Sequence, residues 1–74
     1  MPRVPDDEAC AAYYRIKSGR GRDEDWHKAC CWIYRASFLT AFLDRNASPD
    51  DARAFAQEST GRFFVALKEG RFPV

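Results

Sequence analysis

The residues best suited to chemistry in this sequence are one histidine and three cysteines. His27, Cys30 and Cys31 fall at i, i+3 and i+4, a spacing that in a helix places the imidazole and a thiol on one face. With Cys10 as a fourth ligand, this group has the residue types of a zinc site. Zinc fingers and ribbons hold their paired ligands on turns, however, and this spacing does not match them. We therefore predict no metal and no cofactor, and we interpret the cysteines as small apolar core residues.

The same residues do not predict catalysis. A Cys–His pair on adjacent helical turns has no evident third side chain to orient the histidine and no evident oxyanion donors. A domain of 74 residues also seldom encloses a pocket large enough for a substrate. We expect no enzymatic activity. The odd number of cysteines, two of them adjacent, argues against a disulfide framework and favours a reduced, cytoplasmic protein.

A second candidate site is the basic segment RIKSGRGR, residues 15–22. Its basic residues are Arg15, Lys17, Arg20 and Arg22. The glycines between them would let the backbone approach a phosphate closely. The acidic residues 23–25 follow at once and can pair with these arginines, and no interleaved aromatic residue suggests base stacking. A small nucleic-acid-associated regulator that uses this segment is therefore the alternative hypothesis for function.

Three helices are predicted to position these residues, and no segment alternates as a β-strand does. The first covers about residues 5–17, with acidic residues at its start and a glycine beyond its end. The second is a long central helix over about residues 23–45. The third covers about residues 49–69, after Ser48 as its capping residue. The short link before it predicts that the second and third helices form an antiparallel hairpin, and the fold class is all-α.

The central helix contains the segment ACCWIYRASFLTAFL, residues 29–43, in which Arg35 is the only charged residue. The segment is shorter than the roughly 20 apolar residues that cross a bilayer, and we predict no membrane contact. On a helical wheel its apolar side chains form two stripes. One stripe holds Trp26, Ala29, Trp32, Ile33, Ala36, Leu39 and Leu43, and the other holds Cys31, Tyr34, Phe38 and Phe42. Two stripes predict contacts on two sides of this helix.

The other two helices are expected to cover only part of this apolar surface. The first offers a narrow stripe of Ala9, Ala12, Tyr13 and Ile16, and the third offers Ala52, Phe55, Ala56, Ser59, Phe63, Ala66 and Leu67. Because a chain this short buries only about 60% of its unfolded surface, its own core is marginal. We therefore predict a homodimer, and a monomer closed by the first helix or a complex with another protein are the alternatives. The predicted protein interface is Tyr34, Phe38, Phe42, Phe64 and Phe72.

Composition and net charge limit the kinds of function that this chain is expected to have. Residues 1–74 are expected to form a single helical domain, since the chain is 46% hydrophobic and too short for a second domain. A net charge of +1 argues against wrapping of polyanions, and the start MPRVPDDEAC lacks the apolar run of a secretion signal. The sequence therefore predicts a compact, non-enzymatic protein-binding module: a regulator, adaptor or inhibitor that occludes another protein. Inhibitors encoded by phages or other mobile elements share this profile, which is an analogy of size alone.

Overall fold

The computed structural model describes residues 3–70 and contains three α-helices. They are α1 (Asp6–Lys17), α2 (Asp23–Leu39) and α3 (Pro49–Lys68), and a π-helical turn (Thr40–Asp44) continues α2. No β-strand occurs in this part of the chain, so the predicted all-α class is confirmed, as is a compact arrangement of three helices. Within residues 3–70, no helix combines the length and the apolarity that a membrane crossing requires.

The helix ends are fixed by local hydrogen bonds, as the sequence predicts. At the start of α3 the Ser48 hydroxyl oxygen accepts from the Asp51 N–H at 3.2 Å, which satisfies one of the free donors of the first turn. At the end of α1, Gly19 has φ +80°, a conformation that favours glycine. The next N–H, that of Arg20, donates to the Arg15 carbonyl at 2.8 Å. This is the long bond of a Schellman motif, and it turns the chain away from α1.

The linker between α1 and α2 is held tightly against the end of α1. A Cβ built on Gly21 would lie 2.7 Å from Cγ1 and 2.9 Å from Cα of Ile16, so a larger residue forces a shift. Asp25, in the first turn of α2, is only 4% exposed. Its Oδ1 accepts from Nε and Nη2 of Arg15 at 2.9 and 2.7 Å, and its Oδ2 accepts from the Arg22 N–H at 3.1 Å. Asp25 therefore joins α1, the linker and α2.

The core consists mainly of alanine. The buried apolar residues are Ala9, Ala12, Ile16, Ala29, Cys31, Ala41, Ala52, Ala56 and Leu67. Ile16, Ala29 and Leu67 bring one residue from each helix into a central cluster, and partly covered aromatic rings pack around it. None of the aromatic side chains in the described part of the chain is buried. α2 packs against both α1 and α3. Three residues of its second predicted stripe, Tyr34, Phe38 and Phe42, nevertheless stay partly exposed.

The predicted apolar faces of α1 and α3 are the covered ones. Every residue of both predicted faces is buried or half-buried. Two residues of the predicted stripes of α2 are exposed, Leu43 at 63% and Phe42 at 39%. For Leu43 the reason is the π-helical turn, which holds more residues per turn than an α-helix and so rotates this side chain out of the stripe that contacts α1 and α3.

Candidate functional site

The main candidate surface is a row of aromatic side chains on α2 and the π-helical turn. We call Tyr34, Phe38 and Phe42 the aromatic strip; they follow one another at i, i+4 and i+8 and so lie on one side of the helix. The rings of Phe38 and Phe42 stack, with centroids 5.7 Å apart and planes 14° apart. Tyr34 and Phe38 are half-buried and Phe42 is 39% exposed. Three of the predicted interface residues therefore share one open surface.

A groove of about 360 Å³ runs beside the aromatic strip, between the second half of α2 and the start of α3. Its lining residues are Tyr34, Arg35, Phe38, Leu39, Pro49 and Arg53. The floor is apolar and the two charged lining residues are both arginines. Arg53 also pairs with Asp50 on its own helix at 2.6 Å, in a contact where both side chains are largely exposed. The groove can thus accept apolar side chains under a positive rim, and we call it the arginine-rimmed groove.

Phe64, the fourth predicted interface residue, lies elsewhere. It is 39% exposed, and its ring packs against Trp26 with centroids 5.1 Å apart. Twelve residues separate Trp26 from Phe38 on α2, which is about 18 Å at a rise of about 1.5 Å per residue. Phe64 therefore does not belong to the surface that contains the aromatic strip. The fifth predicted residue, Phe72, lies outside the described residues.

The basic segment is partly used to hold the fold together. The hydrogen bond from Arg15, and then that from the Arg22 N–H, lower the pKa of Asp25, because both favour the ionised carboxylate. The same contact with Asp25 raises the pKa of Arg15. Arg20 and the Arg22 side chain are exposed, but Glu24 and Asp25 share the depression that they line. Arg15 is thus occupied, and neighbouring carboxylates offset the charge of the remaining arginines.

Two lysines, Lys17 within the basic segment and Lys28 on α2, also have interaction partners. Lys28 pairs with Glu24 at 3.2 Å and with Glu8 at 3.8 Å, so it links α2 to α1. Lys17, the remaining basic residue of the alternative hypothesis, is half-buried at the end of α1 and also has an interaction partner. The charge of Lys28 is thus paired with carboxylates and is not free to bind a phosphate backbone.

The histidine and the cysteines do not come together as one group. The Cys31 thiol is buried and lies 3.5 Å from Nε2 of His27, whereas Cys10 is exposed on α1. Burial, and then the adjacent Cys31 thiol, raise the pKa of Cys30, which disfavours the thiolate that binds metals or attacks carbon. Among residues 3–70 no three His, Cys, Asp or Glu side chains lie close enough together to hold a metal ion.

A second groove was not predicted from the sequence. It has a volume of about 340 Å³ and lies where α1, α2 and α3 meet. Its lining residues are Ala9, Cys10, Tyr13, Tyr14, Ala29, Trp32, Ile33 and Phe63. Trp32 is fixed at its edge by a 2.8 Å hydrogen bond from Nε1 to Asp6. All of these residues except Cys10 and Tyr14 belong to the predicted apolar stripes, but only the crossing of the helices shows that a gap remains between them.

The fold and the aromatic strip define the class of the protein. It is a small all-α domain in which the described aromatic side chains surround an alanine core and stay partly exposed. Comparison of the chain with protein-family models, with curated proteins and with solved structures gives no significant match. The functional argument therefore depends on the surface itself.

Proposed function

We propose that this protein is a small non-enzymatic protein-binding module that acts as a regulator, adaptor or inhibitor by covering a surface of another protein. One observation carries the proposal: the aromatic strip remains open although α1 and α3 already pack on α2. Aromatic residues with neighbouring arginines provide much of the binding energy at protein interfaces. A half-covered phenylalanine gains about 1 kcal/mol when a partner covers the rest, half of the value for full burial.

The arrangement that we propose for the two longer helices is an antiparallel hairpin. Trp26, near the start of α2, contacts Phe64 near the end of α3. Arg45, just after the π-helical turn, lies over the Phe55 ring in the first half of α3, 5.2 Å from its centroid. The start of α2 thus contacts the end of α3, and the chain just after the π-helical turn contacts the first half of α3. This pattern of contacts supports an antiparallel hairpin whose tip is the segment 45–48. In such a hairpin the aromatic strip and the start of α3 lie side by side, as the arginine-rimmed groove requires.

We further propose that a second copy of the chain covers the aromatic strip when no other partner is present. The support is energetic, because an alanine core leaves a 74-residue chain with little apolar burial of its own. A symmetric contact would stack the strips of two copies against each other. Sedimentation velocity over a range of concentrations tests this, and a mass that stays monomeric throughout would contradict it.

A matched pair of variants tests the strip as the interface. Phe42 and Phe64 have the same exposed fraction, 39%, but only Phe42 lies on the aromatic strip. Phe42→Ser should weaken self-association and the capture of the native partner from host extract by about fivefold, whereas Phe64→Ser should leave both unchanged. Circular dichroism checks that each variant is folded. Equal binding by the wild type and Phe42→Ser would show that the strip is not the interface.

A further inference from the structure

The charges around the arginine-rimmed groove indicate the chemistry of the partner that it can bind. Arg35 makes no hydrogen bond or salt bridge with any described residue, and the only such contact of Arg53 is the exposed one with Asp50. No carboxylate lines the groove itself. The groove therefore joins an apolar floor of Tyr34 and Phe38 to a rim whose two charged residues are arginines, and Arg35 has no ion-pair partner among the described residues.

A second copy is a poor match for this charge pattern. In a symmetric contact each surface meets the same surface of the other copy, so the arginine rims of both copies are brought into one interface. Like charges brought together in this way weaken the contact, and salt screens the repulsion. A partner with carboxylates is attracted to the rim instead, because it forms an ion pair with each arginine. Self-association is thus the weaker of the two ways to cover the strip.

We infer that the arginine-rimmed groove binds an acidic segment of another protein, in which apolar side chains alternate with Asp or Glu. This inference rests on the proposed function and names the chemistry of its partner. The apolar side chains of the segment occupy the floor formed by Tyr34, Phe38 and Leu39. Its carboxylates accept hydrogen bonds from Arg35 and Arg53, whose planar guanidinium groups suit paired carboxylate oxygens. The segment and a second copy compete for the same strip.

The test is selection of a displayed library of random peptides against the full chain, immobilised at low density. The selected peptides should be rich in Asp and Glu next to Phe, Leu, Trp or Tyr. The affinity of the leading peptide is then measured by fluorescence anisotropy with the wild type and three variants. R35Q/R53Q should bind about fivefold more weakly, the effect of two exposed ion pairs. R62Q is the matched control, because Arg62 also pairs with an acid of its own helix but does not line the groove.

The third variant, Phe38→Ser, separates the inference from the function on which it rests. Tyr34→Ser replaces it if the first variant is unfolded, because Tyr34 lines the same groove. The inference is supported if the selected peptides are acidic and their binding requires Phe38. Their binding should also be weaker to R35Q/R53Q and should weaken as the salt concentration rises. Neutral or basic peptides that need Phe38, or full affinity in R35Q/R53Q, overturn the inference and leave the proposed function intact. Failure to select any peptide, or peptides indifferent to Phe38→Ser, overturns both at this surface.

Discussion

Replacement of Ala56 by leucine tests how closely α2 and α3 pack. Ala56 lies on the covered face of α3 and its exposed fraction is 0%. Leucine adds three carbon atoms at a position where no open space remains. Overpacking of this kind destabilises a folded domain by about 1–3 kcal/mol, because side chains leave their rotamers and helices move apart. We expect Ala56→Leu to fall within that range.

The expected shift in melting temperature follows from the size of the domain. An unfolding entropy of about 2.1 cal/mol/K per residue gives about 0.16 kcal/mol/K for 74 residues. The melting temperature of Ala56→Leu should therefore fall by about 6–20 °C, which thermal unfolding followed by circular dichroism measures easily.

The matched control for this experiment is Ala54→Leu. Ala54 lies on the same helix but is exposed, and leucine is nearly as good a helix former as alanine. Its melting temperature should therefore stay within about 2 °C of the wild type. Equal melting temperatures for the two variants would refute the reasoning, because they would mean that α2 and α3 lie farther apart than an alanine contact allows.

Three further variants or modifications test other parts of the fold. Asp25→Asn should lower the melting temperature at neutral pH. Because the pKa of Asp25 is lowered on folding, its stabilisation is complete above the unfolded-state pKa of about 3.9 and is lost as pH falls through the lower folded-state pKa, so the two proteins should converge in acid. Gly21→Ala should also lower the melting temperature, because the new Cβ would meet the Ile16 side chain and backbone. A thiol reagent should modify Cys10 rapidly in the folded protein and Cys31 only after unfolding, as mass spectrometry of single-cysteine variants would show.

Each of these predictions has a matched control. Asp23→Asn changes an exposed acid of the same first turn and should lower the melting temperature at neutral pH much less than Asp25→Asn does. Gly61→Ala places a methyl group in open space within a helix and should stabilise the protein slightly. Cys30 should react more slowly than Cys10, since burial raises its pKa. A persistent difference between Asp25→Asn and the wild type in acid would contradict the role given to the carboxylate.

The sequence predicts those parts of the structure that depend on neighbouring residues. Ser48 and Gly19 mark helix ends through bonds to residues a few positions away, so their roles can be predicted without the fold. The covered faces of α1 and α3 follow from helical periodicity alone. The π-helical turn has no such marker, and the outward position of Leu43 was therefore missed.

The composition of the candidate site depends on how the helices cross. Arg35 stands out in the sequence as the one charge in an apolar segment, but nothing local pairs it with Arg53 across a groove. Likewise, the sequence predicts Phe42 and Phe64 as parts of the same interface. Only the packing of Phe64 on Trp26 separates it from the aromatic strip.

The alanine core explains why so many aromatic side chains stay partly open. Helices that meet through alanine approach closely, toward the short end of the usual 8–10 Å between axes, and leave no room for a ring between them. The rings then lie at the edges of the contacts, where each is covered on one side only. Full coverage of the three strip residues by a partner would provide about 3 kcal/mol, roughly a hundredfold in affinity. Larger residues at the alanine positions should therefore impair folding, while a polar residue at Phe42, the exposed member of the aromatic strip, should impair binding more than folding.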